Sequence, residues 1–198
     1  MNYLAHAWLS FNESAILTGN MISDFVKGKK KFDYPLSIQK GISLHRAIDE
    51  FTDAHPITKQ AMTHFKADYR LYSGAFIDIV YDHFLANDKT QFDTEKVLNS
   101  FCQSTYTSLE SNTVQLPLKF QQMLPYMAQQ NWLYNYRQRE GIERSFGGLV
   151  RRAAYLTDCT AAFQIFNEHY DALSKCYDAF FPLLKDFAFC RLAELNNS

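Results

Sequence analysis

The sequence predicts an all-α fold, a single helical domain spanning residues 1–198. Three observations predict it. Apolar residues recur at three- and four-residue spacing through most of the chain, the mark of helices that bury one face. Alternating strand patterns are scarce. The breaks between periodic segments are short, so sequential helices should pack mostly on their neighbours.

Those breaks place the elements in order. A helix over 13–27 is expected to stop at the Gly28–Pro35 stretch. The next runs over 35–53, opening at Pro35 and closing before His55-Pro56. Proline suits a first helical turn, where its missing N–H costs nothing, so a further helix is expected over 56–66. Ser73-Gly74 and Asn87-Asp88 bracket one over 75–87. Others follow at 94–109, at 118–130 after Leu116-Pro117, and at 131–144. Gly147-Gly148 precedes 148–155, and 157–193 reads as either a pair or one long helix.

A chain of 198 residues buries roughly 70% of its unfolded surface in one core. With 47% hydrophobic and 16% aromatic residues, it has the material to do so. The formal net charge of −1 argues against a broad nucleic-acid footprint, and no nucleic-acid partner is expected. Two local basic clusters stand out: Lys27, Lys29, Lys30 and Lys31, and Arg137, Arg139, Arg144, Arg151 and Arg152. Each reads as solvated surface or as a docking patch. The four cysteines are widely spaced without a CxxC pair, which gives no zinc signature and suits a reducing compartment. No segment reaches the ~18–20 apolar residues needed to span a bilayer. No membrane partner is expected, and the cytoplasm is the expected location.

Three segments carry ionisable groups where helical geometry predicts burial. In 41–53, Ile38, Ile42, His45 and Asp49 form one row at spacings of four, three and four. His45 and Asp49 can share a metal from that face, or Asp49 can simply orient His45 by a hydrogen bond. In 76–85, apolar residues surround Asp78, Asp82 and His83 almost completely. A buried carboxylate without a partner costs several kcal/mol; a divalent cation or an arginine such as Arg46 would offset that. Asp24 lies between Ile22 and Phe25 near a helix end, where the macrodipole disfavours a carboxylate. It is either a ligand or a solvated turn residue. His6, isolated among apolar residues, is a ligand or a satisfied core histidine. Together His6, Asp24, His45, Asp49, Asp82 and His83 offer nitrogen and oxygen donors without sulfur, a mixture suited to Mn²⁺, Mg²⁺ or Fe²⁺.

The same residues carry a family resemblance. Met1-Asn2-Tyr3-Leu4-Ala5-His6 is similar to the opening of acyl carrier protein phosphodiesterases. Gly19-Asn20 with Asp24-Phe25-Val26-Lys27-Gly28 resembles their second motif. Gly41-Ile42, His45-Arg46, Ile48-Asp49, Thr52-Asp53 and Pro56 resemble the third, and Asp78 with Asp82-His83-Phe84-Leu85 the fourth. Trp132-Leu133, Tyr136-Arg137 and Arg151-Arg152 are weaker matches downstream. The resemblance implies an HD-domain-like helical bundle with a non-standard order of motifs. It implies manganese, and hydrolysis of the phosphodiester between 4′-phosphopantetheine and a serine of holo-acyl carrier protein. The six donors above become the implied site. Arg46 or a later arginine is then expected to clamp a phosphoryl oxygen, and His45 or His83 to protonate the leaving serine. The basic clusters become expected docking surfaces for an acidic carrier protein. Two other readings use the same residues: a phosphohydrolase of nucleotides or other small phosphodiesters, and a non-catalytic carrier-protein-binding module.

Overall fold

The computed structural model describes residues 1–197, and no strand occurs among them. The helices are α1 (Tyr3–Trp8), α2 (Ser14–Ile22), α3 (Leu36–Ala54), α4 (Pro56–Tyr69), α5 (Ser73–Asn87) and α6 (Glu95–Ser111). They continue with α7 (Leu118–Gln129), α8 (Trp132–Asn135), α9 (Arg139–Arg152), α10 (Thr160–Glu168) and α11 (Tyr170–Asn197). Short 3₁₀ turns at Ser23–Phe25 and Gly28–Asp33 join α2 to α3. No described helix is long and apolar enough to cross a membrane.

Local chemistry explains several ends. Asn2 caps α1, its side chain accepting from the Tyr3 N–H at 2.9 Å. Pro56 opens α4, with His55 Nδ1 accepting from the Ile57 N–H. The Thr94 hydroxyl accepts from Val97 N–H at the start of α6.

The structure departs from the sequence expectation in three places. Residues 3–8 are helical, too short a run for periodicity to reveal. Gly147-Gly148 lies inside α9 rather than breaking it; Ile142 and Phe146, both fully buried, hold the helix against the loss of helix propensity. The expected 131–144 helix is cut after Asn135, whose carbonyl lies so close to Gly141 that a Cβ there would sit 1.9 Å from it. The C-terminal stretch resolves as a pair, α10 and α11, parted at His169.

Helix α3 packs against α2 on one flank and α11 on another, while α5 is surrounded by α1, α4, α9 and α11. These contacts make one all-helical domain. Between them lie fully buried rings: Phe65, Phe76, Tyr81, Phe146, Phe166 and Phe180. Phe76 meets Phe146 edge-on at 5.0 Å, and each such ring contributes about 1.5–3 kcal/mol by burial.

The α2–α3 contact is backbone on backbone. A Cβ at Gly19 would stand 2.2 Å from the Ile38 carbonyl oxygen, and one at Gly41 2.3 Å from that of Ile16. Only glycine at both positions lets the helices approach this closely. The approach brings the end of α2, with Asn20, beneath His45 of α3: His45 Nδ1 is 2.7 Å from the Asn20 carbonyl oxygen.

Candidate metal centre

His6 enters from α1 and His45 from α3, and their rings stack with centroids 3.8 Å apart and planes 16° from parallel. Asn20 orients both. Its amide nitrogen donates to the His6 carbonyl at 2.8 Å and to Ser10 Oγ at 3.1 Å, so its Oδ1 is the acceptor facing His6 Nδ1 at 2.8 Å. His45 Nδ1 faces the Asn20 carbonyl. Each Nδ1 therefore carries its hydrogen, and in a neutral ring each Nε2 presents a lone pair.

Both Nε2 atoms face one carboxylate. His6 Nε2 is 3.1 Å from Asp49 Oδ1, and His45 Nε2 is 3.0 Å from Asp49 Oδ2. Asp24, carried by the 3₁₀ turn after α2, adds an oxygen 3.2 Å from His45 Nε2. Lone pairs facing an ionised carboxylate repel unless a proton or a cation lies between them. Burial, then the neighbouring charge of His45, lowers His6 to a pKa of about 4, outweighing Asp49. A proton thus does not settle there at neutral pH. For His45, burial opposes charge, but the hydrogen bonds to Asp24 and Asp49 prevail and raise it to about 9.

The donor atoms of His6, His45 and Asp49 all lie within 4.8 Å of one another. Two imidazoles with Nδ1–H groups fixed by oxygen acceptors are the arrangement that metal-binding histidines adopt. The residues therefore fit a divalent ion.

Asp49 is tied to more than the rings. The N-terminal ammonium of Met1 lies 3.3 Å from Asp49 Oδ1 and 2.9 Å from Asp78 Oδ1. Burial works against the Asp49 charge, yet the ammonium and both histidines hold its carboxyl far below the usual range. Burial also opposes the ammonium, but Asp78 and Asp49 outweigh it and lift it to about 11.

Four of the six candidate ligands thus come together: His6, Asp24, His45 and Asp49. Asp82 and His83 are engaged elsewhere. Asp82 accepts from the backbone N–H groups of Leu4 at 2.7 Å, Ala5 at 3.2 Å and Asn2 at 3.4 Å, so it caps α1 and anchors it to α5. Burial raises its carboxyl to about 7 against the pull of those donors and the ammonium. His83 spends Nδ1 on the Tyr136 carbonyl at 2.7 Å and Nε2 on the Tyr170 hydroxyl at 2.9 Å. Arg46 is exposed and donates to the Val26 carbonyl at 2.7 Å, bracing the turn that carries Asp24. Asn20 joins the centre as a residue whose role has no periodic signature; its place beside Gly19 in the second motif is the available signal.

An all-helical domain whose histidines and carboxylates converge on one potential cation position has the donor chemistry to hold a divalent ion. The profile of the family described as acyl carrier protein phosphodiesterase matches residues 1–184. The chain belongs to that family. An acyl carrier protein phosphodiesterase of Yersinia pestis is 33% identical over 184 residues, covering 93% of this chain and 95% of the relative. Proteins of the same description from Photorhabdus laumondii and Pectobacterium atrosepticum are 31% and 30% identical, each covering 95% of this chain and 95% and 97% of the relative. No solved structure matches the chain significantly.

Proposed function

We propose that the chain is a metal-dependent phosphodiesterase that cleaves the bond joining 4′-phosphopantetheine to a serine of holo-acyl carrier protein, releasing the apo-protein. The observation that carries this reading is the convergence of His6 Nε2 and His45 Nε2 on the Asp49 carboxylate. Membership of the family supplies the substrate class. In this reading the bundle is HD-like, His6, His45 and Asp49 hold the ion, and Mn²⁺ is that ion, as the nitrogen and oxygen donors allow. A bound divalent ion would supply charge neutralisation at a phosphoryl oxygen and an activated water near neutral pH.

The chain's own residues do the rest. Asn20 keeps both Nε2 atoms turned inward. Asp24, with 70% of its side chain exposed, forms the solvent-facing edge from which a phosphodiester arrives. Water's oxygen joins phosphorus, the bond to the serine oxygen breaks, and one proton must pass to that oxygen. Asp24 is the group we assign to relay it. Arg46 supports this edge by holding Val26.

The test is mass spectrometry of holo-acyl carrier protein incubated with the purified enzyme. The expected result is a loss equal to phosphopantetheine, abolished by a chelator, restored by Mn²⁺ and absent with a folded Asp49→Ala variant. An unchanged carrier mass, or cleavage that survives chelation, overturns the proposal. A parallel panel of nucleotide diesters sets its specificity.

A further inference from the structure

A recess of about 670 Å³ opens at the start of α1, within the size range of small-molecule sites. Tyr3 and Trp132 supply aromatic wall, Asn135 supplies an amide, and α9 supplies Arg144, Arg151 and Arg152. None of these three arginines makes an ion pair among the described residues. Three cations facing one cavity, none of them ion-paired, are suited to an anionic guest, and planar guanidinium groups match phosphate oxygens two at a time. Glu143 also lines the recess, so the positive charge is concentrated rather than unopposed.

Gly147 and Gly148 form part of the same wall. Glycine inside a helix is unfavourable, and close packing does not explain these two. A Cβ at either would meet nothing nearer than an Arg151 guanidinium nitrogen, at 3.6 and 3.7 Å. This contrasts with Gly19 and Gly41, which backbone contact demands. What the pair does provide is bare peptide surface along which an extended chain can lie.

The recess also borders the start of α1, the helix that carries His6. Asn2 and Tyr3 line it, and the Asn2 N–H belongs to the Asp82 cap. Burial raises the Tyr3 phenol to about 12, and both Arg152 and Asp24 lie within electrostatic reach of it. Arg152 shares the recess wall with Tyr3, which opens the helix that carries His6.

We infer that this recess seats an organic phosphate bearing an extended, amide-containing chain, with Arg152 holding the phosphate and the Gly147-Gly148 backbone and Trp132 bedding the chain. The inference rests on the phosphodiesterase reading for the choice of guest, since 4′-phosphopantetheine has that chemistry.

Calorimetry with free 4′-phosphopantetheine and with pantetheine, which lacks the phosphate, tests it on the Mn²⁺-loaded protein. The parent binds 4′-phosphopantetheine more tightly than pantetheine. Arg152→Ala weakens 4′-phosphopantetheine by about tenfold or more and leaves pantetheine within about twofold, because a charge-assisted contact is lost. Gly148→Leu fills the recess and weakens both, while its melting temperature holds or rises because a mid-helix glycine is removed. That thermal result separates occlusion from misfolding. No binding by the parent, or either substitution leaving 4′-phosphopantetheine affinity unchanged, overturns the recess. Binding of the free product does not require turnover. If the carrier-protein assay fails while these dependences hold, the phosphodiesterase reading falls and the recess stands. If the carrier is cleaved while affinity is unmoved, the recess alone falls.

Discussion

His6 and His45 lie ring upon ring because Asn20 addresses both of them, one through its side-chain oxygen and the other through its carbonyl. The stack brings two like groups together in a buried place, and it persists because each ring has an oxygen behind it and Asp49 in front. Replacing Asn20 by Leu keeps the volume and removes the oxygen that fixes His6. Mn²⁺ affinity is expected to fall about 10–100-fold, the usual cost of losing such a support. Titration calorimetry reads it, and affinity within twofold of the parent would show that Asn20 does not orient the ligand.

The α2–α3 crossing makes a sharper test of geometry. Gly41→Ala drives a Cβ into the Ile16 carbonyl, which cannot swing aside as a side chain does. The expected loss is about 1–3 kcal/mol in urea unfolding, with weakened metal binding because His45 moves with α3. Gly74→Ala is the control. Its Cβ meets Met62 at 3.6 Å and Asp53 at 3.8 Å, ordinary contact, so replacing this helical glycine should be neutral or gain up to about 1 kcal/mol.

Asp82→Ala strips the acceptor from three backbone N–H groups at the start of α1. Stability should drop by about 3 kcal/mol or more, and His6 should lose its position. Asp82→Asn retains one acceptor oxygen and should fall between the two. The measurement is urea unfolding alongside Mn²⁺ titration. If Asp82→Ala binds metal as the parent does, α1 is held by something else.

His83 sets a pH dependence remote from the candidate metal centre. Burial first, with Arg139 adding to it, lowers its pKa to about 4 from 6.5, against the pull of the Tyr136 carbonyl. The folded protein then binds fewer protons than the unfolded chain between those values. The His83 contribution is complete above pH 6.5, is lost as pH falls toward 4, and changes no further below that. At 2% exposure the loss is up to roughly 3 kcal/mol. Comparing urea unfolding of the parent and His83→Gln at pH 7 and pH 4.5 isolates it: the stability gap should shift toward the variant at low pH. A gap independent of pH would contradict this.

How far these relationships were legible in the sequence depended on whether the partner was local. His45 and Asp49 share one helix face, so their pairing follows from a spacing of four. The burial of Asp82 and His83 was equally plain from their apolar neighbours. What satisfies them was not: Asp82 answers to the N–H groups of α1 and His83 to the carbonyl of Tyr136, distant contacts without a periodic signature. Helix α1 leaves no periodic signature because six residues are fewer than two turns. Gly147-Gly148 resembled a break because propensity speaks only for the isolated chain, whereas Ile142 and Phe146 anchor α9 from inside the core.

The brevity of α1 carries a consequence for heat. So short a helix has almost no tendency to persist by itself, and it holds shape through Asp82 below its first turn and Asn20 against its last. Warming should therefore loosen this segment before the bundle melts. His6 would leave with it, so catalytic loss should run ahead of the global transition. An ion bridging His6 to α3 would act as a rivet across that weak seam.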